Sequence, residues 1–284
     1  MNVSATIKLF LPKGDAKRLR VVEVSNWTGK ALAAPRIELE DLLKRDEAGN
    51  AGIYFLFGVD PDNGKLRAYI GEAEVIGERL KQHKVKDFWN AVVVFVSKDE
   101  NLTKAHIRYL ESRLIDEARS IGRYQLENAT LNKPKLPESD REDMEVFLAR
   151  IRQVLPVLGS DLLNPIASGI KNAEPESEFT CRIKTAVAHG KRTMGGFVVY
   201  KNSQAVIEER ASAKTQHGYV VELRSKLLAD GTLLKVKDSD ILVFTKDMEF
   251  TSPSAAAAVI QGGGANGLTA WRNNSGKTLK QIEG

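Results

Sequence analysis

The sequence is poor in the residues that staple or metallate small folds. It holds one cysteine, Cys181, and four histidines in 284 residues. A lone thiol excludes an internal disulfide and any Cys-rich zinc site. His189 and His217 have no partners at metal-ligand spacing, which argues against a transition-metal centre. No stretch approaches the roughly 18 apolar residues of a membrane span. The opening MNVSATIKLFLPKGDAKRLR carries no apolar run of the signal-peptide kind. These absences predict a soluble, cytoplasmic protein with no membrane partner. Charge of one sign is not in large excess: 42 basic against 37 acidic residues leave +5, with a pI near 9.1. That balance permits nucleic acid as a partner without demanding it. Hydrophobic residues at 42% and charged residues at 28% exclude a mostly disordered chain. The length predicts about two domains.

The first half reads as strands and helices in alternation, an α/β (α+β) pattern. Residues 5–11 and 19–24 are strand-like around a turn at Lys13-Gly14-Asp15. Residues 35–44 show helical spacing in Ile37, Leu39, Leu42 and Leu43. GIYFLFGVD and LRAYIG flank PDNG at 61–64, a hairpin signal because Pro presets φ and Asn-Gly tolerates φ > 0. Residues 74–84 read as a basic helix. AVVVFV at 91–96 is an unbroken apolar run, as expected of a central strand buried on both faces. A long helix runs from about Leu102 to Ser120, with Asn101 as N-cap. A further helix spans about 140–157, opened by a capping box of Ser139 and Glu142. The stretch 164–178 is rich in Pro, Ser, Gly and charge and reads as a linker.

Beyond it, FTCRIKTAVA, GGFVVY, SQAVIEER, LLKVK and ILVFT read as strands, and 217–231 as a helix ending at Gly231. SPSAAAAVIQGG reads as a helix capped by Ser252, with Pro253 at its first position. The expected organisation is a strand/helix leader at 1–48, a compact domain at 49–132, a helical extension at 133–163, the linker at 164–178 and an α+β accessory domain at 179–284.

Chemistry concentrates in the second of these segments. Tyr54 and Tyr69 lie on the two strands of one hairpin, each flanked by Gly and Ile. Arg79 and His83 follow at i and i+4, which puts them on one helix face. Glu111 interrupts the apolar stripe of the long helix, with Ile107 four residues before it and Leu114 and Ile115 after it. A carboxylate on a buried face needs a partner, a proton or a metal. Phosphodiester hydrolysis builds negative charge on phosphate oxygens. A carboxylate-held divalent ion and a fixed guanidinium stabilise that charge, and a phenol can pass a proton from the attacking water. Glu111, Arg79 and Tyr54 supply one of each.

These residues carry a resemblance. Gly52-Ile53-Tyr54 and Tyr69-Ile70-Gly71 resemble the two signature motifs of the GIY-YIG nuclease family. Arg79 stands where that family has its catalytic arginine, and His83 where it has a histidine or tyrosine. Glu111 in YLESRLI matches its metal-binding glutamate, and Asn128 in LENAT the asparagine that closes the motif set. The resemblance covers about residues 50–130. It implies a three-stranded antiparallel sheet flanked by helices and cleavage of DNA with one Mg²⁺ (or Mn²⁺) per site. It further implies Glu111 as metal ligand, Arg79 on the scissile phosphate and Tyr54 as proton acceptor. Tyr69 and His83 would position water or phosphate, and Gly52, Gly71 and Asn128 would support the site. Two departures stand out. The connection between the tyrosines is longer than usual in the family. Gly71 is followed by Glu72 and Glu74 rather than by basic residues, which lowers local attraction for phosphate.

The C-terminal SPSAAAAVIQGGGANGLTAWRNNSGKTL resembles a domain family of unknown function often fused to GIY-YIG domains. It resembles, less closely, a domain associated with restriction and adenine-methylase proteins. Target recognition by this region is implied by association only. Arg182, Lys184, Lys191 and Arg192 read equally as DNA-binding residues and as an ordinary solvated hairpin. Gly262-x-Gly264-x-x-Gly267 follows a helix rather than a strand, and Gly276-Lys277-Thr278 lacks the leading glycine of a P-loop, so no nucleotide cofactor is expected. Trp27, Trp89 and Trp271 read as core, and His106 as structural or solvent-facing. A double-strand break would need a homodimer or two visits. A non-catalytic DNA-binding protein that keeps the nuclease fold stays open as the alternative.

Overall fold

The computed structural model describes residues 4–61, 64–128, 134–165, 178–193, 195–210, 213, 218–237 and 239–283. The chain is a mixed α+β protein in two units, Met1–Asn164 and Pro165–Gly284. Most of the expected linker therefore lies outside the described residues, as do Asp62 and Asn63 of the hairpin turn and His217.

The first unit is built on one sheet. Its strands are β1 (Ile7–Phe10), β2 (Arg20–Val24), β3 (Gly29–Pro35), β4 (Gly52–Val59), β5 (Leu66–Ala73), β6 (Ala91–Ser97) and β7 (Gln125–Leu126). They lie in the order β1-β2-β3-β6-β4-β5-β7. All neighbours are antiparallel except β5 and β7. In place of the expected three-stranded sheet, β6, β4 and β5 are adjacent members of a seven-stranded sheet. The difference arises at β3. Its Ala-rich KALAAP has low strand propensity and by sequence falls within the 1–48 leader, yet small side chains suit a strand covered on both faces. β3 pairs with β6 over seven residues and brings β1 and β2 with it.

Helices cover both faces. One face of the sheet, with Val22, Ala33, Ile53, Phe55, Ile70, Val93 and Phe95, packs against α3 (Lys104–Ile121) and α4 (Glu138–Val157). The other face, with Leu32, Tyr54, Leu56, Val92 and Val94, packs against α1 (Leu39–Leu43) and α2 (Ile76–Gln82). Period-2 alternation along β4 sends Tyr54 and Ile53 to these opposite cores. Residues 1–48 and 133–163 thus share cores with the central domain.

Several local expectations are corrected. Thr103, not Asn101, caps α3: its side chain accepts from the His106 N–H at 3.3 Å, and His106 reaches back to the Thr103 N–H. His106 is therefore structural, as read. Ser139 lies inside α4, whose N-cap is Pro137 without a side-chain cap. Residues 36–38 form a 3-10 turn before α1 rather than a helix start, and Ile37 points into solvent.

The second unit has a five-stranded sheet of β8 (Glu178–Ile183), β9 (Ala186–Thr193), β10 (Gly196–Val199), β14 (Met248–Phe250) and β15 (Trp271–Asn273), in the order β14-β10-β9-β8-β15. FTCRIKTAVA is a hairpin, turning at Lys184 with φ 49°. A smaller sheet orders β11 (Gln204–Val206), β13 (Ile241–Phe244) and β12 (Leu233–Lys235). Helices α5 (Gly218–Ala229), α6 (Pro253–Gln261), α7 (Gly267–Ala270) and α8 (Leu279–Glu283) complete the unit. Ser252 caps α6 as expected, and Gly262 closes it in the left-handed region, so this glycine ends a helix rather than opening a nucleotide loop. Trp89 and Trp271 are core, while Trp27 is half-buried.

Candidate active site

The site forms around the end of β5, where the two faces of the sheet meet at its edge. On the α2 face, Tyr54 is fully buried and lies directly across from Gly71 in the β4–β5 register. Its ring sits where a side chain at Gly71 would go: a Cβ there would come within 2.3 Å of the Tyr54 phenol. Gly52 is required for a similar reason, since its Cβ would meet the Phe95 carbonyl oxygen at 2.2 Å. Gly71 thus makes room for the Tyr54 ring and Gly52 for a strand neighbour.

The Tyr54 hydroxyl and His83 Nε2 are 2.8 Å apart. His83 ends α2 and begins a 3-10 turn, His83–Val85, and its carbonyl accepts from the Trp89 indole N–H at 3.0 Å. Tyr69, half-buried, completes an aromatic triangle, with ring centroids 6.0 Å from Tyr54 and 5.0 Å from His83. Arg79, four residues before His83 on α2, reaches solvent and hydrogen-bonds both tyrosine hydroxyls. It also donates to Gln82 Oε1 at 2.7 Å. Lys86 lies over the Tyr69 ring at 4.5 Å.

Electrostatics separate the roles. Burial pushes the Tyr54 phenol well above its ordinary value; the neighbouring Tyr69 adds to the rise and Arg79 opposes it. Burial, with Lys86 and Arg79 nearby, pushes His83 down to about 4. The imidazole is therefore neutral at pH 7, and its Nδ1 is buried without a hydrogen-bond partner.

On the α3 face, Glu111 reaches the outer edge of β5. β7 covers that edge only as far as Ala68. The Asn128 side chain continues the ladder, accepting from the Ile70 N–H at 3.0 Å and donating to the Ile70 carbonyl at 2.6 Å. Two residues further on, the Glu72 N–H donates to the Glu111 carboxylate. The edge is met in sequence by a strand, an amide and a carboxylate, which take up the Ile70 N–H and carbonyl and the Glu72 N–H. Burial raises Glu111 to about 7; Glu72 adds to the rise, while the Glu72 N–H, Arg79 and Lys104 oppose it. Lys104, at the start of α3, holds Glu72 at 3.0 Å and Glu74 at 3.4 Å. A shallow cleft of about 500 Å³ opens here, lined by Glu72, Glu74, Arg79, Gln82 and Lys104 among others.

The structure thus gathers Tyr54, Tyr69, Arg79, His83, Glu111, Gly52, Gly71 and Asn128 around one strand end. Sequence reading missed the parts played by Glu72, Lys86 and Lys104. Glu72 and Glu74 were legible only as misplaced acid; their ion pairs with a helix four strand-lengths of sequence away carry no local signal. Among the described residues, no group of three or more His, Cys, Asp or Glu could hold a metal ion. A caged all-protein site is thereby not offered. The donor set present, one half-buried carboxylate beside Glu72 of the cleft wall, fits an ion such as Mg²⁺, which keeps waters and takes substrate oxygens.

The four expected DNA-binding residues do not share a face. Along β8 and β9, Phe179, Cys181, Ala186 and Ala188 are buried in the core with α6. The alternate residues Thr180, Arg182, Val187, His189 and Lys191 line the other face. Arg192 falls on the core side of β9 and pairs with Glu283 at 3.1 Å. Lys184 sits in the turn and pairs with Glu208 at 2.5 Å. Lys191 lies opposite Glu178. Arg182 is joined instead by Arg272 of β15, which pairs with Thr180.

No helix among the described residues is long and apolar enough to cross a membrane. No curated protein and no solved structure matches the chain. Residues 179–283 match a family described as a domain of unknown function (DUF4357), in agreement with the likeness read from the C-terminal sequence.

Proposed function

We propose that this protein is a divalent-metal-dependent endonuclease that hydrolyses phosphodiester bonds in DNA, with the C-terminal unit contributing contact to the target. The observation that carries this reading is the convergence at the end of β5 of a half-buried carboxylate, a solvent-reaching guanidinium and a buried phenol–imidazole pair. Glu111 would hold the ion, Mg²⁺ or Mn²⁺. When bound, the ion supplies charge neutralisation on the phosphate and a more acidic water.

The chain's own groups do the rest. Arg79 presents its fork to a phosphate oxygen, held by the tyrosine hydroxyls on one side and Gln82 on the other. Tyr54 Oη donates to neutral His83 Nε2 and accepts from the Arg79 guanidinium. A proton from the attacking water passes to Tyr54 Oη as the phenol proton moves to His83 Nε2. His83 by itself is a poor acceptor, first because it is buried and then because Lys86 and Arg79 stand near it. A phosphate bound between those cations offsets them and raises the proton affinity of the imidazole. Lys104, paired with Glu72 and Glu74, and Arg108, paired with Glu72, offset the acidic residues after Gly71 and weaken their repulsion of the substrate. One site per chain gives one nick per encounter.

Cleavage of supercoiled plasmid with Mg²⁺ and with EDTA tests this. The expected outcome is metal-dependent nicking that falls about 100-fold or more in Glu111→Ala and in Arg79→Ala. Tight DNA binding by a well-folded wild type that never nicks, with Mg²⁺ or Mn²⁺, would establish the non-catalytic DNA-binding reading instead.

A further inference from the structure

Two aliphatic side chains stand almost bare in solvent next to the site: Ile37 is 92% exposed and Val85 is 88% exposed. Both sit on 3-10 turns, Arg36–Glu38 and His83–Val85. One arginine ties those turns together. The Arg36 guanidinium donates to the carbonyls of Lys84 at 2.7 Å, Lys86 at 2.6 Å and Trp89 at 3.1 Å, and stacks 4.6 Å over the Trp89 ring. Its own N–H donates to the Asn90 carbonyl at 2.7 Å. Ile37 follows that arginine and Val85 lies between two of the carbonyls it holds, so both project from one braced tip.

Lysines and carboxylates share the tip, with Lys81, Lys84 and Lys86 exposed beside Glu40 and Asp87. Lys84, Lys44 and Lys81 all surround Glu40 and hold its carboxyl below the usual range, chiefly through the Lys84 hydrogen bond. Lys86 adds a further charge and reaches the Tyr69 ring. His83, which bonds Tyr54, is on the same turn as Val85. Rigid exposed aliphatics, flanked by lysines and continuous with a phosphate-directed site, are the composition of a side-chain wedge that enters a base step while cations hold the backbone.

The geometry points to Ile37 and Val85 as a wedge that inserts into the base stack of duplex DNA beside the scissile phosphate and unstacks it. This rests on the phosphodiester-hydrolase reading. A lipid surface would use similar chemistry, but two side chains on single turns give far less apolar area than the amphipathic helices that lie in a bilayer interface.

The test uses full-length protein in EDTA, a short labelled duplex carrying 2-aminopurine at pyrimidine–purine steps, and anionic phospholipid vesicles as a second arm. Wild type is expected to bind the duplex and raise 2-aminopurine fluorescence. The double variant Ile37→Ser, Val85→Ser is expected to keep the wild-type melting temperature, bind about tenfold more weakly and lose the fluorescence rise. An equal rise and affinity in the double variant would overturn the wedge. So would wild type that binds the vesicles through these two residues and leaves the duplex stacked. Wild type that nicks plasmid while the double variant still unstacks the duplex removes the wedge alone. Wild type that neither nicks nor binds removes both readings.

Discussion

His83 shows how a single residue's environment becomes a measurable property. Burial, Lys86 and Arg79 depress its pKa to about 4, whereas the unfolded chain titrates near the ordinary value of about 6.5. Between these values the unfolded state binds a proton that the native state refuses. Stability therefore falls as pH drops from about 6.5 to about 4, by an amount on the order of 1–3 kcal/mol. Above that window the contribution is fully present. A His83→Asn variant is expected to show a flatter acid limb in urea-unfolding curves taken across the window. Identical limbs for the two proteins would mean that native His83 takes up its proton as freely as the unfolded chain does. The same burial keeps the imidazole neutral and able to accept from Tyr54 at pH 7, so the stability measurement and the proposed role in proton transfer share one cause.

The strand β5 is the element on which the site depends, and Asn128 is what finishes it. With β7 only two residues long, the outer edge of β5 beyond Ala68 has no strand partner among the described residues. Asn128 supplies both a donor and an acceptor to Ile70. Removing them in Asn128→Ala leaves two backbone groups at a half-buried edge and costs about 1–3 kcal/mol in melting experiments. It also frees the segment that presents the Glu72 N–H to Glu111, so metal-dependent nicking is expected to fall by more than the loss of stability accounts for at a temperature where the variant is fully folded. Activity that merely tracks the folded fraction would reduce Asn128 to an edge filler.

Sequence reading placed β4, β5, β6, α2 and α3 because each carries a strong pattern: alternation, an apolar run, a heptad-like stripe. Tyr54, Tyr69, Arg79, His83 and Glu111 were legible from their spacing along these elements, whereas Gly52, Gly71 and Asn128 entered through the family resemblance alone. What escaped was set by pairing across distance. β3 is recognisable only once β6 offers it a buried edge. Thr103 won the cap from Asn101 because His106, three residues on, could close the reciprocal bond. The face on which Arg192 falls depends on where the FTCRIKTAVA hairpin turns, and composition does not fix that register.

At the scale of the whole chain, the two units have separate cores, and the matched family covers only the second. α6 packs on one face of its five-stranded sheet; on the other, Arg182, His189 and Arg272 reach solvent while Val198 is buried. Arg272 pairs with Thr180, and Arg182 lies two residues along the same strand. The two arginines are therefore diagonal neighbours, about 7–8 Å apart on one surface. No ion pair engages either among the described residues, in contrast to Lys184 and Arg192. If this face contributes target contact, each arginine that neutralises a phosphate adds about 0.9 to the slope of log affinity against log salt. In the full chain, Arg182→Ala with Arg272→Ala is expected to lower that slope by nearly two units and to weaken duplex binding at every sequence alike. Arg192→Ala, on the core side of β9, is expected to leave both unchanged. Equal slopes for the double variant and wild type would assign DNA contact to the first unit alone. The open face would then need a partner recognised by something other than phosphate charge.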